Sequence, residues 1–181
     1  MFEPLPYEII NHISTFLPNT DHGKLITSTS WIYEACHDET KKKYATKKGS
    51  TFFCDRGNLE MVKYCHRIGL PFTTHAMVWS AENGHLEIVT WLHENRNEGC
   101  TTDAMDWAAM NGHLEMVQWL HENRTEGCTT YAMDYAAYSG HLETVQWLHE
   151  NRTEGCTTYA MDWAVRNGHL EIVEYLKKTG Y

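Results

Sequence analysis

Apolar positions in the C-terminal two-thirds of the chain recur at helical spacing, without the strict alternation of strands. Leu86, Val89 and Leu92, joined by Ile88 and Trp91, form a wide apolar stripe of the kind that faces a core. The stripe follows Gly84-His85-Leu86-Glu87, and that marker returns every 28 residues as Gly112-His113-Leu114-Glu115, Gly140-His141-Leu142-Glu143 and Gly168-His169-Leu170-Glu171. An earlier copy, Gly57-Asn58-Leu59-Glu60-Met61-Val62, sits 27 residues before the first. Five copies at spacings of 27 or 28 residues predict a repeat architecture.

Each unit predicts two short helices. Thr129-Thr130 supplies a hydroxyl cap, and Ala132-Met133-Asp134-Tyr135-Ala136-Ala137 continues as a first helix of mostly small residues. Ser139-Gly140, or Asn-Gly at 83–84, 111–112 and 167–168, supplies the left-handed residue that ends it. The second helix begins at His141-Leu142-Glu143, with its glutamate in the first turn, where the helix dipole favours negative charge. Gly99, Gly127 and Gly155 are expected to end the second helices.

A helix pair of this kind cannot bury its own stripe, whereas stacking buries it against neighbours. The expected fold class is therefore all-α, a solenoid of stacked helix pairs. Residues 1–45 have a separate character, and about five units follow over 46–70, 71–98, 99–126, 127–154 and 155–181. The last closes with Glu174-Tyr175-Leu176-Lys177-Lys178, a polar end suited to a terminal cap.

The units differ little, so the positions where they differ stand out. One such series is His75, Asp103, Tyr131 and Tyr159; another is Glu82, Met110, Tyr138 and Arg166. The two are seven residues apart, almost two helical turns, and share a face. This row is the expected target-binding face, its tyrosines offering broad, rigid contact area. Neutral drift on an exposed face is the bland alternative. Trp79, Trp107, Tyr135 and Trp163 are expected in the core, and Asp106, Asp134 and Asp162 are expected to brace turns.

Composition narrows the picture. The chain is 42% hydrophobic with seven Trp and ten Tyr, which excludes a disordered chain. No run reaches the ~18 apolar residues of a membrane helix, so no membrane partner is expected. The opening Met1-Phe2-Glu3-Pro4 lacks the basic flank of a secretory signal, and a cytoplasmic protein is expected. Lys41–Lys43 with Lys47 and Lys48 read either as a nuclear address or as a solvated helix end, the commoner case. Residues 71–181 hold sixteen Asp/Glu against six Lys/Arg, which disfavours nucleic acid as a partner.

Candidate chemistry changes little. His93, His121 and His149 each precede a cysteine, Cys100, Cys128 or Cys156, by seven residues. Zinc sites use tighter pairs, so repeat duplication explains the pattern and no metal or cofactor is expected. Asp134, Ser139 and His141 are the residue types of a hydrolase triad, but no Gly-x-Ser-x-Gly elbow accompanies them. No catalytic residue is assigned, and an enzyme is not expected. The six cysteines read as reduced thiols, with Cys100, Cys128 and Cys156 as buried packing residues.

Asn83-Gly84-His85-Leu86-Glu87-Ile88-Val89 and its copies resemble the second helix of ankyrin repeats, and Ala108-Ala109 and Ala136-Ala137 resemble the ankyrin first helix. The usual Thr-Pro-Leu-His opening is absent, with Tyr131-Ala132-Met133-Asp134 in its place. The unit is also about five residues shorter than the ankyrin 33, so the β-hairpins are expected to be reduced or absent. This short variety is similar to arrays in protists and in large DNA viruses of amoebae, where the location would be host cytoplasm. The resemblance implies a monomeric protein-binding module.

Residues 1–45 resemble an F-box. The resemblance rests on Leu5, Pro6, Ile9, Ile13, Phe16, Leu17 and Pro18. It implies a partner, the Skp-type adaptor of a cullin–RING ubiquitin ligase, with the solenoid holding a protein target. The alternative is a plain scaffold or inhibitor whose N-terminal helices only cap the stack.

Overall fold

The computed structural model describes residues 38–181, and every regular element among them is an α-helix. The expected adaptor-binding residues, Leu5 to Pro18, lie outside the described residues. Contacts divide the chain into two compact units, with the boundary between Pro71 and Phe72.

The first unit contains α1 (Asp38–Lys48), α2 (Ser50–Asp55) and α3 (Leu59–Arg67). Lys47 and Lys48 sit exposed in the last turn of α1, where positive charge complements the helix dipole. The α2 and α3 helices pack together over Phe53, Cys54, Met61, Val62 and Cys65, all buried. The Asn58 side chain caps α3 by accepting from the Met61 N–H at 3.1 Å. The Tyr64 hydroxyl donates to the Asp38 carbonyl at 3.0 Å and ties α3 to the start of α1.

The second unit is four helix pairs: α4 (Thr74–Glu82) with α5 (Leu86–Asn95), α6 (Asp103–Met110) with α7 (Leu114–Asn123), α8 (Thr130–Ser139) with α9 (Leu142–Asn151), and α10 (Thr158–Asn167) with α11 (Leu170–Thr179). The fold is the expected all-α stack. First helices pack on first helices, α4 on α6, α6 on α8 and α8 on α10, and each also packs on its own second helix. Small side chains permit that close approach. Ala104, Ala108, Ala109, Ala132, Ala136 and Ala137 are at most 1% exposed, with Met105 and Met133 filling the space between.

In the second helices the buried positions are Ile88, Val89 and Leu92 and their counterparts Met116, Val117, Leu120, Val145, Leu148, Ile172, Val173 and Leu176. Leu86 and Trp91, at the margins of the stripe, are only half-buried. The tight turn within each pair is closed as expected, by a glycine at positive φ such as Gly140 (φ 86°).

The connection between pairs corrects the sequence reading. Gly99, Gly127 and Gly155 do not end the second helices. Those helices stop at Asn95, Asn123 and Asn151, and the backbone turns extended at Arg96, Arg124 and Arg152. The glycines bend the loop three residues further on, at φ near 70°. In each loop an arginine grips the glutamate two residues later through both Nε and Nη2, as in Arg124 and Glu126. The paired fork explains why the chain leaves the helix early. No strand occurs among the described residues, and a tight ion-paired loop stands where a hairpin would project.

Candidate functional site: the face of the first helices

Buried carboxylates tie α6 to α8 and α8 to α10. Asp106 accepts from the Thr129 N–H at 2.9 Å and from the Thr129 hydroxyl at 2.7 Å. Asp134 accepts from the Thr157 N–H at 2.8 Å and hydroxyl at 2.7 Å. Each aspartate thus clamps the cap of the following first helix, and the capping threonine in turn accepts from the N–H of Tyr131 or Tyr159. Burial raises the Asp106 carboxyl above its usual range, with the Thr129 bonds pulling the other way. Asp162, the last of the series, stands exposed. The expected bracing role therefore holds at Asp106 and Asp134, where a following helix supplies the donors.

A second set of bonds fixes the far ends of the same helices. Asn111 Nδ2 donates to the Glu82 carbonyl at 3.0 Å, and Asn167 Nδ2 to the Tyr138 carbonyl at 2.8 Å. His169 Nε2 donates to that same Tyr138 carbonyl at 3.0 Å. His141 makes the equivalent bond to the Met110 carbonyl, while burial holds its imidazole below the ordinary range. His141 and Asp134 therefore serve different seams of the stack.

Between these anchors the variable series occupies one face. His75, Asp103, Tyr131 and Tyr159 are exposed, Tyr131 at 50% and Tyr159 at 53%. In the second series Tyr138 and Arg166 are exposed, whereas Glu82 and Met110 are half-buried. Asp103 accepts from the Thr101 hydroxyl at 2.9 Å.

The aromatic series was misplaced by sequence. Trp79 is 39% exposed, and Trp107, Tyr135 and Trp163 are half-buried, none of them core. The alanine-lined seam brings the helices too close for a large ring, so the rings lie on the face and cover one another. Trp107 stacks on Tyr135 and Tyr135 on Trp163, each at 5.7 Å between centroids and within 12° of parallel. Tyr131 stacks on Tyr135 at 5.3 Å and Tyr159 on Trp163 at 5.0 Å, and Tyr138 meets Trp163 edge-on.

A further seam, which the sequence reading did not identify, joins the loops. Arg124 Nη1 donates to His93 Nδ1 at 3.3 Å, and Arg152 Nη1 to His121 Nδ1 at 3.2 Å, each reaching back one repeat. At the last repeat Tyr181 takes the arginine's place, with its hydroxyl 3.4 Å from His149 Nδ1. The 28-residue recurrence of Arg96, Arg124 and Arg152, each followed by Glu98, Glu126 or Glu154, was the available signal.

The cysteines need a partial correction, since Cys128 is buried but Cys100 and Cys156 are half-exposed beside these loops. Burial pushes all three thiols up to about 11. Among the described residues no group of three His, Cys, Asp or Glu is placed to hold a metal. No described helix is long and apolar enough to cross a membrane.

A family model described as "Ankyrin repeats (many copies)" matches residues 75–121, 105–149 and 133–176, together more than half of the chain. No curated protein matches it.

Proposed function

The chain belongs to the ankyrin-repeat family, and from that premise we propose that it is a protein-interaction adapter. Ankyrin repeats point to a protein–protein interaction scaffold with protein partners. In this reading residues 46–181 are the repeats, and the face carrying His75, Glu82, Asp103, Met110, Tyr131, Tyr138, Tyr159 and Arg166 holds a protein target. The observation that carries it is the exposure of Tyr131, Tyr138 and Tyr159 on helices locked by the Asp–Thr clamps. Large rings left half in water give a partner area to bury, and a rigid backbone means little ordering entropy is lost on binding.

The finer part of the proposal concerns residues 1–45. Leu5, Pro6, Ile9, Ile13, Phe16, Leu17 and Pro18 resemble an F-box, and that resemblance alone supports recruitment of a Skp-type adaptor. The mechanism is proximity. A target held on the repeats would be at high effective concentration near the ligase, and the chain itself would make no bonds.

A pull-down of the full chain with purified Skp-type adaptor tests this, comparing wild type with Ile9→Asp/Ile13→Asp. Capture by wild type and loss in the double variant is the expected result. No capture by wild type removes the ligase link and leaves the scaffold.

A further inference from the structure

Two exposed rings on the first-helix face have one side covered and the other in water. Tyr131 lies within 14° of parallel on Tyr135, and Tyr159 within 12° on Trp163, yet each keeps about half its surface exposed. The rings beneath them are themselves stacked from repeat to repeat. The outward faces are therefore presented without freedom to fold away. An aromatic face carries a partial negative charge and attracts cations, planar guanidinium above all.

The surroundings have the same sign. Asp103 occupies the repeat position of Tyr131 and Tyr159, and its carboxylate is exposed. Residues 72–181 carry sixteen Asp/Glu against six Lys/Arg. Three of those cations, Arg96, Arg124 and Arg152, are tied to glutamates in the loops, and Lys177 and Lys178 close the last helix. Arg166 alone lies on this face, at its C-terminal end. An anionic partner meets repulsion here, and a purely apolar one makes no use of the carboxylates.

Resting on the reading that this face holds the target, we infer that the bound element is an arginine-rich peptide segment, read by the outer faces of Tyr131 and Tyr159 and by Asp103. Arginine outcompetes lysine at these rings because its plane can lie flat on them.

The test is fluorescence anisotropy of the full chain with four labelled peptides of equal length, carrying three arginines, three lysines, three glutamines or three glutamates between Gly-Ser spacers. The arginine peptide should bind most tightly, at least ten-fold better than the glutamine and glutamate peptides. Tyr131→Ala/Tyr159→Ala should weaken it about ten-fold, the combined effect of two exposed cation–π contacts. Tyr131→Phe/Tyr159→Phe, which keeps the rings, should stay within about two-fold on the same reasoning. Asp103→Asn should weaken binding a few-fold and flatten its salt dependence. A glutamine peptide that binds equally well and is lost with the alanine pair overturns the charge preference but keeps the face. Arginine-peptide binding that ignores the alanine pair overturns the face itself, as does no binding of any peptide at millimolar concentration.

Discussion

The imidazole of His141 lies against Gly112, one repeat earlier, so closely that a Cβ added to Gly112 would come within 2.5 Å of Nδ1. His113 stands in the same way over Gly84, and His169 over Gly140. The repeated Gly-His pair is thus two halves of a contact between neighbours. The glycine of one unit makes room for the histidine of the next, which then donates to a carbonyl of the preceding first helix.

Gly112 and Gly168 separate the two demands on this glycine. Both have positive φ, 72° and 76°, but Gly168 has no atom within 4 Å of where a Cβ would sit. Gly168→Ala should cost only the left-handed backbone penalty, about 1–2 kcal/mol. Gly112→Ala should cost that plus about 1–3 kcal/mol for displacing the imidazole. Urea denaturation of the two variants checks this, and equal losses would show that the imidazole contact contributes nothing.

Asp134 and Asp162 form a second matched pair. Asp134→Ala removes a buried carboxylate and leaves the Thr157 N–H and hydroxyl without their acceptor, and should destabilise by about 1–3 kcal/mol. Asp162→Ala, at the same repeat position but exposed, should change stability by less than about 0.5 kcal/mol. Guanidinium unfolding midpoints at constant slope measure both.

Acid should loosen the stack in two stages. Burial holds His141 below its ordinary 6.5, against the pull of the Met110 carbonyl and with His113 and His169 nearby. The unfolded chain therefore takes up that proton first, so stability is full above about pH 7 and falls as pH drops through 6.5. Further down, the Arg96 and Arg152 guanidiniums hold Glu98 and Glu154 below their usual 4.5. Burial alone would raise Glu126, but Arg124 and nearby N–H groups outweigh it and bring the carboxyl to about 2. These contributions are present above 4.5 and are lost as pH falls toward 2. Asp106, raised by burial, works in the opposite sense. Urea midpoints from pH 8 to 3 should show both stages, and His141→Gln should flatten the upper one.

The period, the helix pairs and the turn glycines were legible in the sequence because each is a local signal repeated five times. What failed depended on neighbouring units. The position of Trp107 or Tyr135 follows from how closely two helices approach, and only the alanines at 104, 108 and 109 set that distance. The loop at Arg96 ends its helix early through an ion pair whose worth cannot be judged from either residue alone. Of the positions where near-identical units differ, Tyr131, Tyr138 and Tyr159 are exposed, whereas Glu82 and Met110 are half-buried. Leu5 to Pro18 rest on resemblance alone.

Thiol labelling checks the environment of the loops. Cys65, Cys100, Cys128 and Cys156 are all pushed to about 11 by burial, so little thiolate exists at pH 8. Labelling of these four by a disulfide reagent should be slow in the folded chain and become fast across the unfolding transition. Rapid labelling of Cys100 or Cys156 under native conditions would show that their loops open.

The account depends on aspartates that lock α6 to α8 and α8 to α10 and so hold the tyrosines in one row. Amide hydrogen exchange at Thr157 measures that lock directly, because its N–H donates to Asp134 rather than within a helix. We predict protection of Thr157 comparable to the α8 interior, lost selectively in Asp134→Ala while α8 itself stays protected. Exchange of Thr157 at the rate of an open loop in the wild-type chain would contradict it.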